Sequence, residues 1–180
     1  MSVEPWLRGT LTEVEPVRRA VLHALELAEE DVSRWCEGLS DGEMFARPVG
    51  LPSVAFQLRH IARSLDRLLT YAESGFGMNS EPGGNERRGL SELQLAALGT
   101  EMEEVGSAAE VLQEVGEGMK VAMGRVEAVS PESFAEVRGV GRKGLPTTVV
   151  GLLIHSAEHT QRHVGQMVTT VKVLKAVAIT

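Results

Sequence analysis

Three of the five histidines in this sequence, His155, His159 and His163, stand four residues apart in the stretch GLPTTVVGLLIHSAEHTQRHVGQ (144–166). Neutral imidazole is a common ligand for divalent transition metals. Four residues of α-helix turn about 400°, which sets each ring about 40° around and about 6 Å along from the last. Two imidazoles at i and i+4 can therefore share one ion. Three cannot, because His155 and His163 lie about 12 Å apart along the axis. A metal site built here needs a ligand from another part of the chain. The segment His159-Thr160-Gln161-Arg162-His163 has the H-x-x-x-H spacing of a zincin helix, but Thr160 stands where the catalytic Glu would be. That argues against a metalloprotease. A dimetal carboxylate bundle would need inward Glu residues and Glu-x-x-His pairs, which the sequence does not supply.

The histidine-bearing helix is expected from about Thr147 to near Val177, with an apolar stripe of Val150, Leu153, Ala157, Val164, Met167, Val171 and Leu174. His163 lies about 70° from the centre of that stripe, His159 about 110° and His155 about 150°. His159 and His163 are the pair best placed for an interior. A second helix, capped by Ser53, carries Val54, Leu58, Ile61, Leu65, Leu68 and Ala72 on one face. His60 projects about 120° from that face, on a flank shared with Gln57, Ser64 and Tyr71. The pattern leaves two readings open: satisfied boundary histidines, or a site shared by His60, His159 and His163 across neighbouring helices.

Two more helices complete the expectation. After an irregular arm (1–11) anchored by Trp6 and Leu7, a first helix follows a Thr12–Glu15 capping box and ends near Gly38. Capping boxes at Ser91/Gln94 and Thr100/Glu103 predict a short helix near 91–98 and a long one from about 101 to 129. Connections fall at 39–52, 74–89 and 130–146, the second rich in Gly, Asn, Ser and Pro and read as a connection rather than a lid. The expected fold is all-α, a four-helix bundle with long connecting loops and a short extra helix near 91–98, in a single domain spanning 1–180.

Composition agrees. The 180 residues suffice for one full core. Aromatic residues make up only 4%, so aliphatic packing between helices must fill that core. A net charge of −7 leaves no basic field for nucleic acid. The single cysteine, Cys36, fits a buried thiol in a reducing compartment. No signal pattern or membrane span is visible, and a cytoplasmic location is expected.

A histidine on the second helix (LRHIARSLDRLL), a long central helix, and a last helix reading EHTQRHVGQ together resemble the DinB-like (DinB/YfiT) superfamily of four-helix bundles. The resemblance covers essentially the whole chain, and its short motif matches in order and spacing. It implies a metal triad of His60, His159 and His163, with His155 at a position often histidine but outside the triad. It further implies one divalent ion, zinc or nickel above all, with an open coordination position. A low-molecular-weight thiol such as mycothiol or bacillithiol, a small-molecule substrate, thiol transfer and a homodimer are also implied. Ser64 and Gln166, each one turn beyond a triad histidine, are candidates to orient ligands. Arg142 and Lys143 could meet carboxylates of a thiol, although solvated charge is the simpler reading. Two alternatives stay open: a non-catalytic bundle stapled by a structural ion, and a metal-assisted hydrolase, which lacks an obvious carboxylate base near the triad.

Overall fold

A computed structural model describes residues 3–74, 91–103, 105–141 and 143–177. Four long helices form the bundle: α1 (Pro16–Cys36), α3 (Val54–Glu73), α5 (Ala108–Ala128) and α6 (Val149–Val177). Two short helices, α2 (Asp41–Phe45) and α4 (Glu92–Thr100), precede α3 and α5. Each begins where a side chain satisfies first-turn amides that lack an intrahelical partner. Ser53 accepts from the Phe56 amide, and Ser40/Glu43, Ser91/Gln94 and Ser107/Glu110 form complete capping boxes. At α1 the cap is the Glu15 carboxylate, accepting from Val17 and Arg18, rather than Thr12.

The core is aliphatic, with Leu22, Leu25, Leu58, Ile61, Leu65, Met119, Leu153 and Met167 almost wholly buried. Each such side chain contributes about 1.5–3 kcal/mol of burial. The expected all-α bundle is what the chain forms, and the short helix after Ser91 is present. Among the described residues no helix is long and apolar enough to cross a membrane. The 74–89 connection lies, beyond Ser74, outside the described residues.

Several expectations need correction. The third long helix starts at Ala108, not near 101. Residues 101–103 and 105–107 instead lie in a non-helical crossing between α4 and α5, with Met102 and Val105 exposed rather than on an apolar stripe. Gly106 makes the break possible: its φ of +95° suits glycine, and a Cβ there would meet Glu110 Oε2 at 2.6 Å. The 39–52 connection contains α2. The 130–146 connection contains all of β1 (Val137–Val140) and the first half of β2 (Leu145–Thr148), which pair as an antiparallel hairpin. Buried Arg138 ties that hairpin to the end of α3 by donating to the Ala72 carbonyl at 2.9 Å. In the N-terminal arm Trp6 and Leu7 are exposed, and Pro5 is the buried anchor.

The α6 stripe also differs. Its buried face includes Ser156, Thr160 and Thr170, which an apolar count omits, and Leu152 beside them. Ser156 and Thr170 donate their hydroxyls to the carbonyls of Leu152 and Pro52, so burial leaves them satisfied. Including them rotates the buried face by about 30° towards the histidines.

Candidate metal centre

That rotation, together with the close packing of α3 on α6, brings His60 to the pair on α6. The rings of His60, His159 and His163 have centroids 4.4 to 5.1 Å apart. One nitrogen from each lies within 4.8 Å of the others, a group that could hold a metal ion. His60 Nε2 and His159 Nε2 are 3.0 Å apart. Two ligands of a tetrahedral ion with bonds of about 2.0–2.1 Å stand about 3.3 Å apart, so small rotations of the rings suffice.

The opposite edges of two rings are held. His60 Nδ1 donates to Glu101 Oε2 at 2.7 Å, and His163 Nδ1 donates to Gln57 Oε1 at 2.6 Å. These bonds assign the tautomers that leave the lone pair on each Nε2, and that of His60 faces His159 Nε2. Phe56, one turn before His60, stacks on its ring at 5.5 Å. The donor set therefore fits a divalent ion that favours imidazole.

The electrostatics point the same way. Burial, with the neighbouring imidazoles and Arg162, pushes the pKa of His159 down to about 4. Burial, then His60 and Arg162, does the same for His163, outweighing the opposing effects of Glu101 and Gln166. Both rings are neutral at pH 7 and available as ligands. Burial opposes ionisation of Glu101, but hydrogen bonds from His60 and Arg67 outweigh it and hold this carboxyl below its ordinary range.

The other singled-out residues are placed as follows. Ser64 Oγ stands 3.3 Å from His60 Nε2 and accepts from Arg67 at 3.0 Å. His155 is exposed, with Nδ1 3.7 Å from Glu158 and its ring 5.5 Å from that of His159. Gln166 is exposed, and its side chain favours the protonated form of His163, against the net lowering. Lys143 is exposed, and Arg142 lies outside the described residues.

Sequence reasoning missed Glu101, Arg67 and the role of Gln57. A polar Gln57 one turn before His60 was a usable signal. Glu101 was hidden because an unbroken helix through 101–107 would carry it past the site. The expected lack of a carboxylate near the triad is thus corrected, although both Glu101 oxygens are engaged, by His60 and by Arg67.

The larger grooves lie elsewhere. One of about 610 Å³ runs between α3, α4 and α5, and one of about 1340 Å³ lies along α1 and α5; the triad lines neither. The triad sits instead at a half-buried edge of the bundle, with the His60 side chain 21% exposed and within reach of a small molecule. No curated protein matches the sequence. A family model described as the DinB superfamily matches residues 24–167, a span that runs from α1 into α6 and includes all three histidines. With a match over most of its length and a helical bundle around the matched residues, the chain belongs to the DinB superfamily.

Proposed function

We propose that this protein is a metal-dependent enzyme that transfers a low-molecular-weight thiol to an electrophilic small molecule, with His60, His159 and His163 holding the ion. The observation that carries this reading is the composition of the group. Among the described residues it contains three imidazoles and no fourth ligand atom from a His, Cys, Asp or Glu. Structural sites are closed by four protein ligands, whereas catalytic sites keep a position open. When bound, the ion would supply Lewis acidity, favouring the thiolate of a thiol at that position. Three neutral ligands preserve its full positive charge, which suits this task.

The residues around the triad have separable roles in the proposal. Glu101 and Gln57 orient His60 and His163. Ser64, held by Arg67, presents a hydroxyl beside the Nε2 edge of His60 and can hydrogen-bond to a molecule bound there. The transfer forms an S–C bond to the electrophilic carbon, the thiol proton passes to solvent, and any leaving group departs with the bonding pair. Zinc and nickel are the metals that best suit the donor set. The reading also carries a homodimer in the cytoplasm, of which the dimer is checked by light scattering.

Hydrolysis is less favoured, because Glu101 is buried and its oxygens are engaged by Arg67 and by the Nδ1 edge of His60, away from the Nε2 edge where a water would be activated. A structural ion stapling α3 to α6 is the second reading. Incubating the metallated protein with a panel of low-molecular-weight thiols and monochlorobimane separates the two. Metal-dependent conjugation with one thiol supports transfer. A metal-loaded protein that conjugates none of them refutes it in favour of the staple.

A further inference from the structure

Arg59, Arg63 and Arg67 stand one turn apart on α3; Arg59 and Arg67 reach the chain between α4 and α5, Arg63 holds the end of α4, and Arg59 and Arg63 also pair with Glu114 of α5. Arg59, 8% exposed, donates to the carbonyls of Glu103 and Val105 at 2.7 and 2.5 Å. Arg63 donates to the Ala97 carbonyl at 3.0 Å and to Thr100 Oγ1 at 2.9 Å. Arg67 donates to Glu101 Oε1 at 2.7 Å. Between these anchors the crossing carries an otherwise unaccountable feature, a glutamate only 6% exposed. Burying a carboxylate is costly unless its oxygens are satisfied. Here one oxygen takes Arg67 and the other takes His60 Nδ1.

We infer that Glu101 is a positioning residue of the metal centre, delivered by the α4–α5 crossing and held by the arginine row of α3, and that it fixes the His60 ring and strengthens it as a donor. The inference rests on the reading of the triad as a metal site. A carboxylate on the far nitrogen of a ligating imidazole sets its tautomer and raises its basicity. His163 has only a neutral amide in the equivalent place, so His60 is the electronically favoured ligand of the three. Arg67 keeps Glu101 from taking the His60 proton. Gly106 and the Ser107/Glu110 capping box end the crossing and start α5, so that Glu101, Glu103 and Val105 can meet the arginines of α3.

The test uses metal-stripped full-length protein, Zn²⁺ competed against a chromophoric chelator, and Co²⁺ spectra as a second readout. Glu101→Gln, Glu101→Ala and His60→Ala are compared with the parent, with melting of each metal-free form alongside. The expected loss of Zn²⁺ affinity is about 10–100-fold for Glu101→Ala and smaller for Glu101→Gln, whose amide oxygen still accepts but carries no charge. Co²⁺ bands are expected to move in both. Affinity within about threefold of the parent in both Glu101 variants, while His60→Ala loses binding, overturns the inference but leaves the triad. Affinity that falls only in step with the metal-free melting temperature, with Co²⁺ bands unmoved, also overturns it, since that is a fold effect. Undiminished binding in His60→Ala overturns the triad reading and this inference with it.

Discussion

Gly118 fixes how closely α5 approaches α3, the helix that carries His60, and the same substitution along α5 has opposite signs depending on what a methyl would meet. At Gly118 an added Cβ stands 2.9 Å from the Cβ of Ala62 and 3.4 Å from its Cα. At Gly116 and Gly124 it meets nothing within 4 Å. Gly→Ala in a helix interior gains about 1 kcal/mol of intrinsic propensity. Overpacking costs about 1–3 kcal/mol, and because the obstruction at Gly118 includes backbone the whole helix must move. Gly118→Ala is therefore expected to lose about 1 kcal/mol net, whereas Gly116→Ala and Gly124→Ala gain about 0.5–1 kcal/mol. In a chain of this size each kcal/mol moves the melting temperature by about 2–4 °C. Thermal melts by circular dichroism thus separate the variants by sign. Removing the Ala62 methyl should relieve the clash, so in an Ala62→Gly background Gly118→Ala becomes neutral or stabilising. Ala62 lies two residues from His60, and the single variant is also expected to weaken metal binding. A rise in melting temperature for Gly118→Ala equal to that for Gly116→Ala would refute the packing argument.

Metal-free protein is expected to lose stability on acidification, because His159 and His163 stay neutral in the fold down to about pH 4 but charge near pH 6.5 when unfolded. Their contribution is full above pH 6.5 and is lost as pH falls towards 4, on the order of 2 kcal/mol after discounting for partial exposure and coupling. Urea midpoints across that range check this, and a flat profile contradicts it. The lowered Glu101 carboxyl acts in the same direction, its contribution present above the ordinary carboxyl range and lost as pH falls through its lowered value. Cys36, buried and with its thiol pushed up to about 11, should resist alkylation by iodoacetamide in native protein and react in denaturant; equal rates would contradict the burial. Arg59→Ala removes the contacts that tie down the carbonyls of Glu103 and Val105, and faster amide exchange confined to the crossing is the expected outcome.

The sequence made the four long helices, the Ser53 and Ser91 caps and the three facing histidines legible, because each leaves a local trace in periodicity or capping chemistry. The α5 start was missed because Thr100/Glu103 mimics a capping box as well as Ser107/Glu110 does; only the positive φ of Gly106 separates them. The hairpin escaped notice since β1 and β2 are four residues each, too short to show alternation. Wheel geometry underestimated how far His159 turns inward, as it gave no weight to Ser156 and Thr160. Glu101 left no trace at all. Its place depends on three arginines whose targets, set by tertiary packing, lie 34 to 46 residues downstream of them.

The central claim is that His60, His159 and His163 together hold one divalent ion. Metal-stripped protein without a polyhistidine tag, dialysed against Zn²⁺ or Ni²⁺ and analysed for bound metal, tests it most directly. The account predicts about one ion per chain for the parent, in keeping with a single three-imidazole site, and loss of that ion in His60→Ala and in His163→Ala. Unchanged metal content in both variants would contradict it.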